Sequence, residues 1–184
     1  MNKKFAAAGL LLLFATLMVK AERKEKEPLR VVPGVDLPRY AGLWYEVARL
    51  PNRFEEKCAG DVTAEYTLQS AGSLKVVNRC RKQDGRMTEA VGAAKLADRR
   101  GANSRLKVRF APAFLSFLPA VWGDYQIIEL APDYSYAVVG DPSRKYLWFL
   151  SRTPRLDGAT YQKLTEAARS QGFDVSRLIR TKQG

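Results

Sequence analysis

The 184-residue chain contains no histidine and only two cysteines, Cys58 and Cys80. Without an imidazole, Ser-His-Asp and Cys-His catalysis, His-ligated haem and the usual His-containing zinc sites are excluded. Two thiols cannot form a four-thiolate zinc cage either. An enzyme would have to work with carboxylates, lysine or tyrosine, and alternation places no acid and base of a catalytic pair side by side. Acidic residues are in the minority, 19 against 31 Lys plus Arg, for a formal charge of +12. The positive charges are scattered among acids through alternating segments, without an aromatic-rich single-strand motif, so no nucleic-acid partner is expected. What is present, 46% apolar and 27% charged residues, suffices for the core of one ordinary domain. The expectation is a small globular binding protein without a cofactor.

Residues 1–21 read as a secretory signal peptide: Lys3 and Lys4, an apolar run from Phe5 to Val19, and the small residues Val19 and Ala21 at a cleavage site. The run is short for a bilayer span, which needs roughly 20 residues. No cysteine lies beside the cleavage site, so this segment offers no acceptor for a bacterial lipoprotein's lipid. The charged, proline-bearing stretch 22–34 is expected to be an extended leader outside the folded part. Export also places Cys58 and Cys80 in an oxidising compartment where they can join. The C-x-x-C spacing of a redox pair is lacking.

From Tyr40 to Arg152 short alternating runs are punctuated by Gly, Pro, Asp and Asn. Eight strands are expected, over 41–50, 61–69, 73–81, 86–96, 104–111, 124–130, 135–140 and 146–152, the pattern of an antiparallel barrel or sandwich. One helix is expected over 157–171, N-capped by Asp157, with Tyr161, Leu164 and Ala168 at helical spacing and Gly172 as its stop. A short strand over 175–179 follows. That helix has too narrow an apolar stripe to carry a core and should lie on the outside of the sheet.

Three segments then fall into order: Gly42-Leu43-Trp44 opening the first strand, Gly140-Asp141-Pro142 before the last, and Ser151-Arg152-Thr153 closing it. With the helix and Gly172-Phe173-Asp174-Val175-Ser176 behind them, they resemble the signatures of the lipocalins. The text flanking them is similar to the bacterial branch related to apolipoprotein D and plant temperature-induced lipocalins. The resemblance covers residues 35–182 and implies an all-β fold, an eight-stranded antiparallel up-and-down barrel with a C-terminal helix packed outside. It places the Trp44 indole across the barrel floor with the Arg152 guanidinium stacked on it, a contact worth ~0.5 to 2 kcal/mol. Better-known bacterial members are outer-membrane lipoproteins, so the chain is expected in the periplasm or secreted, in association with the outer membrane but not anchored through an N-terminal cysteine.

If Trp44 points inward, alternation sends Glu46, Ala48 and Leu50 inward, and the same rule assigns Tyr146 and Trp148 to the interior. By the family's register Ala64, Tyr66, Val76, Asn78, Leu106, Val108 and Phe110 join them. Such a lining suits a hydrophobic small molecule or lipid, held as a long-chain fatty acid or lysophospholipid for storage, transport or scavenging. The same residues could instead fill a solid core, and a lipocalin-fold enzyme acting on a lipid or isoprenoid is the alternative function. Glu46 would orient a head group or, more simply, be held by internal water or a tyrosine, because a bare inward carboxylate is costly. The apolar segment carrying Phe114, Leu115, Phe117 and Leu118 should sit at the barrel mouth. There it would touch a membrane, aided by Arg81, Lys82 and Arg86, or form a lid, or fold down as a local plug. A monomer or homodimer is expected.

Overall fold

A computed structural model describes residues 27–69, 72–98 and 100–184; the expected signal peptide lies outside them. Eight strands follow one another as an antiparallel meander: β1 (Gly42–Arg49), β2 (Cys58–Leu68), β3 (Leu74–Lys82), β4 (Met87–Leu96), β5 (Arg105–Arg109), β6 (Gly123–Leu130), β7 (Tyr136–Gly140) and β8 (Leu147–Ser151). Each pairs with the next, and β1 pairs with both β2 and β8, which closes the sheet into a barrel. Closure leaves no free edge along most of its circumference. Turn chemistry sets the register. At the β3–β4 hairpin, for example, Gly85 takes a positive φ while Lys82 N donates the closing hydrogen bond to the Arg86 carbonyl.

A four-residue helix that the sequence did not announce, α1 (Leu37–Tyr40), crosses the floor, capped by the Asp36 carboxylate and carrying a proline in its first turn. The second helix, α2 (Gly158–Ser170), is capped by Asp157, as expected. Its Leu164 and Ala168 bury against the outside of β1, β7 and β8, where Phe149 meets Tyr161. Residues 175–177 form a 3-10 turn, not a strand. The final strand is β9 (Ile179–Arg180), which pairs with Ala48 and Arg49 of β1.

The described part of the leader is extended but not detached. Leu29 is buried in the layer beneath α2, Val32 donates to the Ile127 carbonyl, and its own carbonyl accepts from Ser104. Leu29, Val31 and Val32 dock this otherwise charged stretch, and the Gln171 side chain pairs with the Arg30 backbone at 2.8 and 3.1 Å. Cys58 and Cys80 form a disulfide between the start of β2 and the end of β3, with Cα atoms 5.6 Å apart. Closing that loop is worth about 3 kcal/mol by chain entropy.

A register shift in β1 decides which side chains face the upper lumen. Opposite β8, Glu46 faces Leu150 but Ala48 faces Phe149, so Val47 is an extra residue. Beyond this bulge every side chain changes face. Ala48 and Leu50, expected inside, lie outside under α2, whereas Arg49 turns inward opposite Trp148.

Candidate ligand cavity

The closed end of the barrel is packed. Trp44 is fully buried with its Nε1 donating to the Tyr40 carbonyl at 2.8 Å. The Arg152 guanidinium lies 3.8 Å from the centre of the Trp44 ring and donates to the carbonyls of Arg39, Ala41 and Leu43 at 2.7 to 2.9 Å. One side chain thereby stacks on the floor and ties α1 to the entry of β1. Above it lies a tyrosine layer: Tyr125 Oη is 2.7 Å from Tyr40 Oη and 2.9 Å from Tyr66 Oη. Burial pushes all three phenols up, Tyr66 to about 12, so they remain neutral donors and acceptors. Tyr66 was expected to point inward; Tyr40 and Tyr125 were missed, although Tyr125 alternates with Ile127 in β6.

Above that layer the inward rows change character. Val76 and Leu106 remain buried, but Ala64, Asn78, Val108, Tyr146 and Trp148 are only half-buried, and Ala90, facing Asn78 across the hairpin, is exposed. Inward side chains of a closed barrel gain exposure only from solvent inside it. The inward rows toward the mouth are thus less buried than those at the floor, and aliphatic and aromatic groups line them. Asn78 Oδ1 is shielded there and meets no donor among the described residues. Phe110 lies past the end of β5 and its ring covers Gly92, where a Cβ would come within 2.7 Å of it, so it forms rim and not deep wall. Tyr146 and Trp148 stack with ring centres 5.9 Å apart, and Phe54 packs on Tyr146.

The β1 bulge installs an ionic cluster at the upper wall. Arg49 Nε lies 2.9 Å from Glu55 Oε2 and Nη1 lies 3.7 Å from Glu46 Oε1. Trp148 Nε1 donates to Glu55 Oε1 at 2.8 Å, and the Thr181 hydroxyl donates to Glu46. The hydroxyl that meets Glu46 is thus a threonine of the C-terminal segment and not a tyrosine. Burial, and then the neighbouring Glu55 charge, hold the Glu46 carboxyl well above the usual carboxylate range, against the opposing pull of Thr181 and Arg49. No sequence signal marks the bulge, and Glu55 comes from an irregular loop, so neither Arg49 nor Glu55 was foreseen.

β1 and β2 splay above Tyr45, and the C-terminal segment fills the seam. Asp61 N donates to the Lys182 carbonyl at 2.8 Å, Thr181 N to Val47 at 3.1 Å, and Gln183 Nε2 bridges Glu46 and Val62 at 2.7 and 2.9 Å. A groove of about 140 Å³ remains between this segment and Cys58 to Gly60, with Arg49 on its lining.

At the mouth, residues 110–122 form two 3-10 turns. Trp122 fastens them from outside, donating to the Ser116 carbonyl at 2.8 Å with Lys95 stacked 4.0 Å from its ring centre. Phe114 and Phe117 are each 74% exposed and Leu118 is exposed as well, whereas Leu115 is half-buried. A plug folded into the barrel would have buried them. Two of the cations expected to assist a membrane contact are already paired, Arg81 with Asp61 and Arg86 with Asp84.

A lipocalin-like domain model matches residues 35–183. Temperature-induced lipocalin-1 of Arabidopsis thaliana is 42% identical over 160 residues, 86% of this chain and 85% of that protein. The outer membrane lipoprotein Blc of Escherichia coli K12 is 38% identical over 154 residues, 83% and 82% of the two chains. Mouse apolipoprotein D is 30% identical over 152 residues, 80% of this chain and 77% of that protein. Among solved structures, insecticyanin of the tobacco hornworm Manduca sexta superposes with a TM-score of 0.67 at 20% identity, over 86% of each chain. That last likeness concerns the fold alone.

Proposed function

The chain belongs to the lipocalin family, whose barrels bind small hydrophobic ligands, and on that premise we propose that its upper lumen carries a long-chain fatty acid, lysophospholipid or comparable lipid. The observation that carries this reading is the change along the inward rows from buried at the tyrosine layer to solvent-reached above it, with the wall still apolar. Ala64, Val108, Tyr146 and Trp148 would hold the acyl chain, with Val76, Leu106 and the tyrosine layer packed beneath its end. Each methylene taken out of water contributes ~0.8 kcal/mol. Such a wall holds chains of many lengths with little discrimination. The process is capture without covalent chemistry.

Export supports a place for this cargo. Bacterial relatives are outer membrane lipoproteins, and the Cys58–Cys80 bridge suits an oxidising compartment. We place the protein in the bacterial envelope, storing, moving or scavenging lipids, with Phe114, Phe117 and Leu118 touching the bilayer surface during exchange.

Titration of the delipidated protein with a fluorescent fatty-acid analogue tests the lumen. Ala64 is half-buried opposite Trp44 and Asn78, so Ala64→Phe fills the space above the floor. Affinity should fall about tenfold or more, equivalent to about 1.4 kcal/mol, in a variant that still unfolds cooperatively in urea, with a midpoint lowered because Ala64 packs against the Trp44 layer. Full retention of binding by this variant would put the ligand outside the lumen.

A further inference from the structure

Arg49 and Trp148 aim two N–H donors at one place on the upper wall, and the group they hold there belongs to neither wall strand. It is the carboxylate of Glu55, carried by the loop between β1 and β2. We propose that Arg49 and Trp148 form a reading site for an acidic lipid head group, and that Glu55 occupies it as an internal stand-in until the ligand's anion displaces it. This deepens the lipid-carrier reading and rests on it.

Three observations support an exchangeable occupant over a permanent structural pair. The first is alignment. Although Arg49 Nε lies 2.9 Å from Glu55 Oε2, neither atom has a hydrogen-bond partner of proper geometry, while both are shielded from solvent. A buried guanidinium with an unsatisfied donor retains capacity for a better-placed acceptor. The second is charge balance. Glu46, the other carboxyl near Arg49, is held toward its neutral form by burial and by Glu55. Glu55 is then the counter-charge of Arg49, so replacing one anion by another leaves the wall neutral. A ligand with an uncharged head would have no means of removing Glu55, because its departure would strand a buried cation.

The third is mobility by construction. Glu55 is attached to the barrel wall through its own carboxylate, and its loop is otherwise held by short-range bonds. Asn52 Oδ1 accepts from Phe54 N and Glu55 N at 3.0 and 3.1 Å, and Glu55 O accepts from Cys58 N at 3.0 Å. Asn52 Nδ2 also donates to Glu55 Oε1 at 3.3 Å, within the same loop, and among the described residues Phe54, itself largely exposed, packs on Tyr146 of the wall before the Cys58–Cys80 bridge anchors the loop's end. Release of the carboxylate therefore lets the loop turn outward as a unit, at the end of the lumen where a head group sits when its chain lies below.

The shared chemistry is an acidic head, which a carboxylate or a phosphate monoester can supply. The test uses the delipidated full chain and four probes with one oleoyl chain: oleate, oleoyl-lysophosphatidate, oleyl alcohol and oleoyl-lysophosphatidylcholine. Glu55→Gln removes the competing charge and should tighten the preferred acidic probe about tenfold or more, with oleyl alcohol unchanged. Which acidic probe responds identifies the head. The double variant R49Q/E55Q leaves no unpaired charge behind, so it should fold, and it should bind acidic and neutral probes alike. If the wild type and both variants bind all four probes with the same ranking, the head-group site is wrong and the carrier reading stands. If the wild type binds none of the probes, both fall together.

Discussion

Glu46 and Arg49 lie on the same strand, three residues apart, and the extra residue between them makes them neighbours inside the barrel. The cost of the arrangement is written in the titration of Glu46. A carboxyl whose folded-state value is raised binds its proton more tightly folded than unfolded. It therefore favours folding below its ordinary value and loses that contribution as pH climbs through the interval up to the raised one. Glu46→Gln lacks this titration. Urea unfolding of the two proteins from about pH 4 to about pH 8 should show the stability of wild type falling relative to the variant as pH rises. A constant difference across that range would mean that folding does not raise the Glu46 carboxyl above its ordinary value. Arg152 is the contrasting case: the family resemblance placed it over Trp44, whereas the carbonyls it also ties, of Arg39 and Ala41, come with the short helix α1 and were not foreseen.

The strands and the long helix were legible because period-two and period-3.6 patterns report burial directly, and the observed boundaries differ from the expected ones by a few residues at most. What the pattern could not report is where it breaks. In β1 the residues Trp44, Glu46, Ala48 and Leu50 alternate without interruption in the sequence, yet Val47 bulges and reverses the last two. The bulge is a property of how β1 meets β8, β9 and the splayed β2, and none of those contacts is local. The short helix α1 escaped notice for a related reason: four residues hold too little periodicity to register. Ala48 gives a direct check. Buried beneath α2 beside Phe149, it has no room for a larger side chain, so Ala48→Leu should destabilise by about 1–3 kcal/mol. Were Ala48 lining an open lumen, the same change would leave the urea midpoint in place and reduce lipid uptake instead.

Taken together, the barrel is fully buried at its base and less buried toward its mouth, with its apolar side chains most exposed on the mouth loop. The net positive charge suggests electrostatic attraction to anionic membranes, but near the mouth Arg81 and Arg86 are neutralised by Asp61 and Asp84. Exposed Phe114 and Phe117 then dominate any contact with a bilayer. Flotation with phosphatidylcholine vesicles should recover the wild type in the lipid layer and lose F114S/L115S/F117S at least about tenfold, since burying a phenylalanine contributes about 1.5–3 kcal/mol. Salt should alter the result little. Equal recovery of both proteins would remove the mouth loop from any membrane role.

The bulge at Val47 has a genetic reading as well. Loss of that one codon would straighten the strand yet leave Ala48 opposite Phe149 and Arg49 opposite Trp148, because the residues beyond it already follow the register of β8. A barrel of this design can thus shed a residue there without exchanging its ionic interior for an oily one, every hairpin keeping its original length.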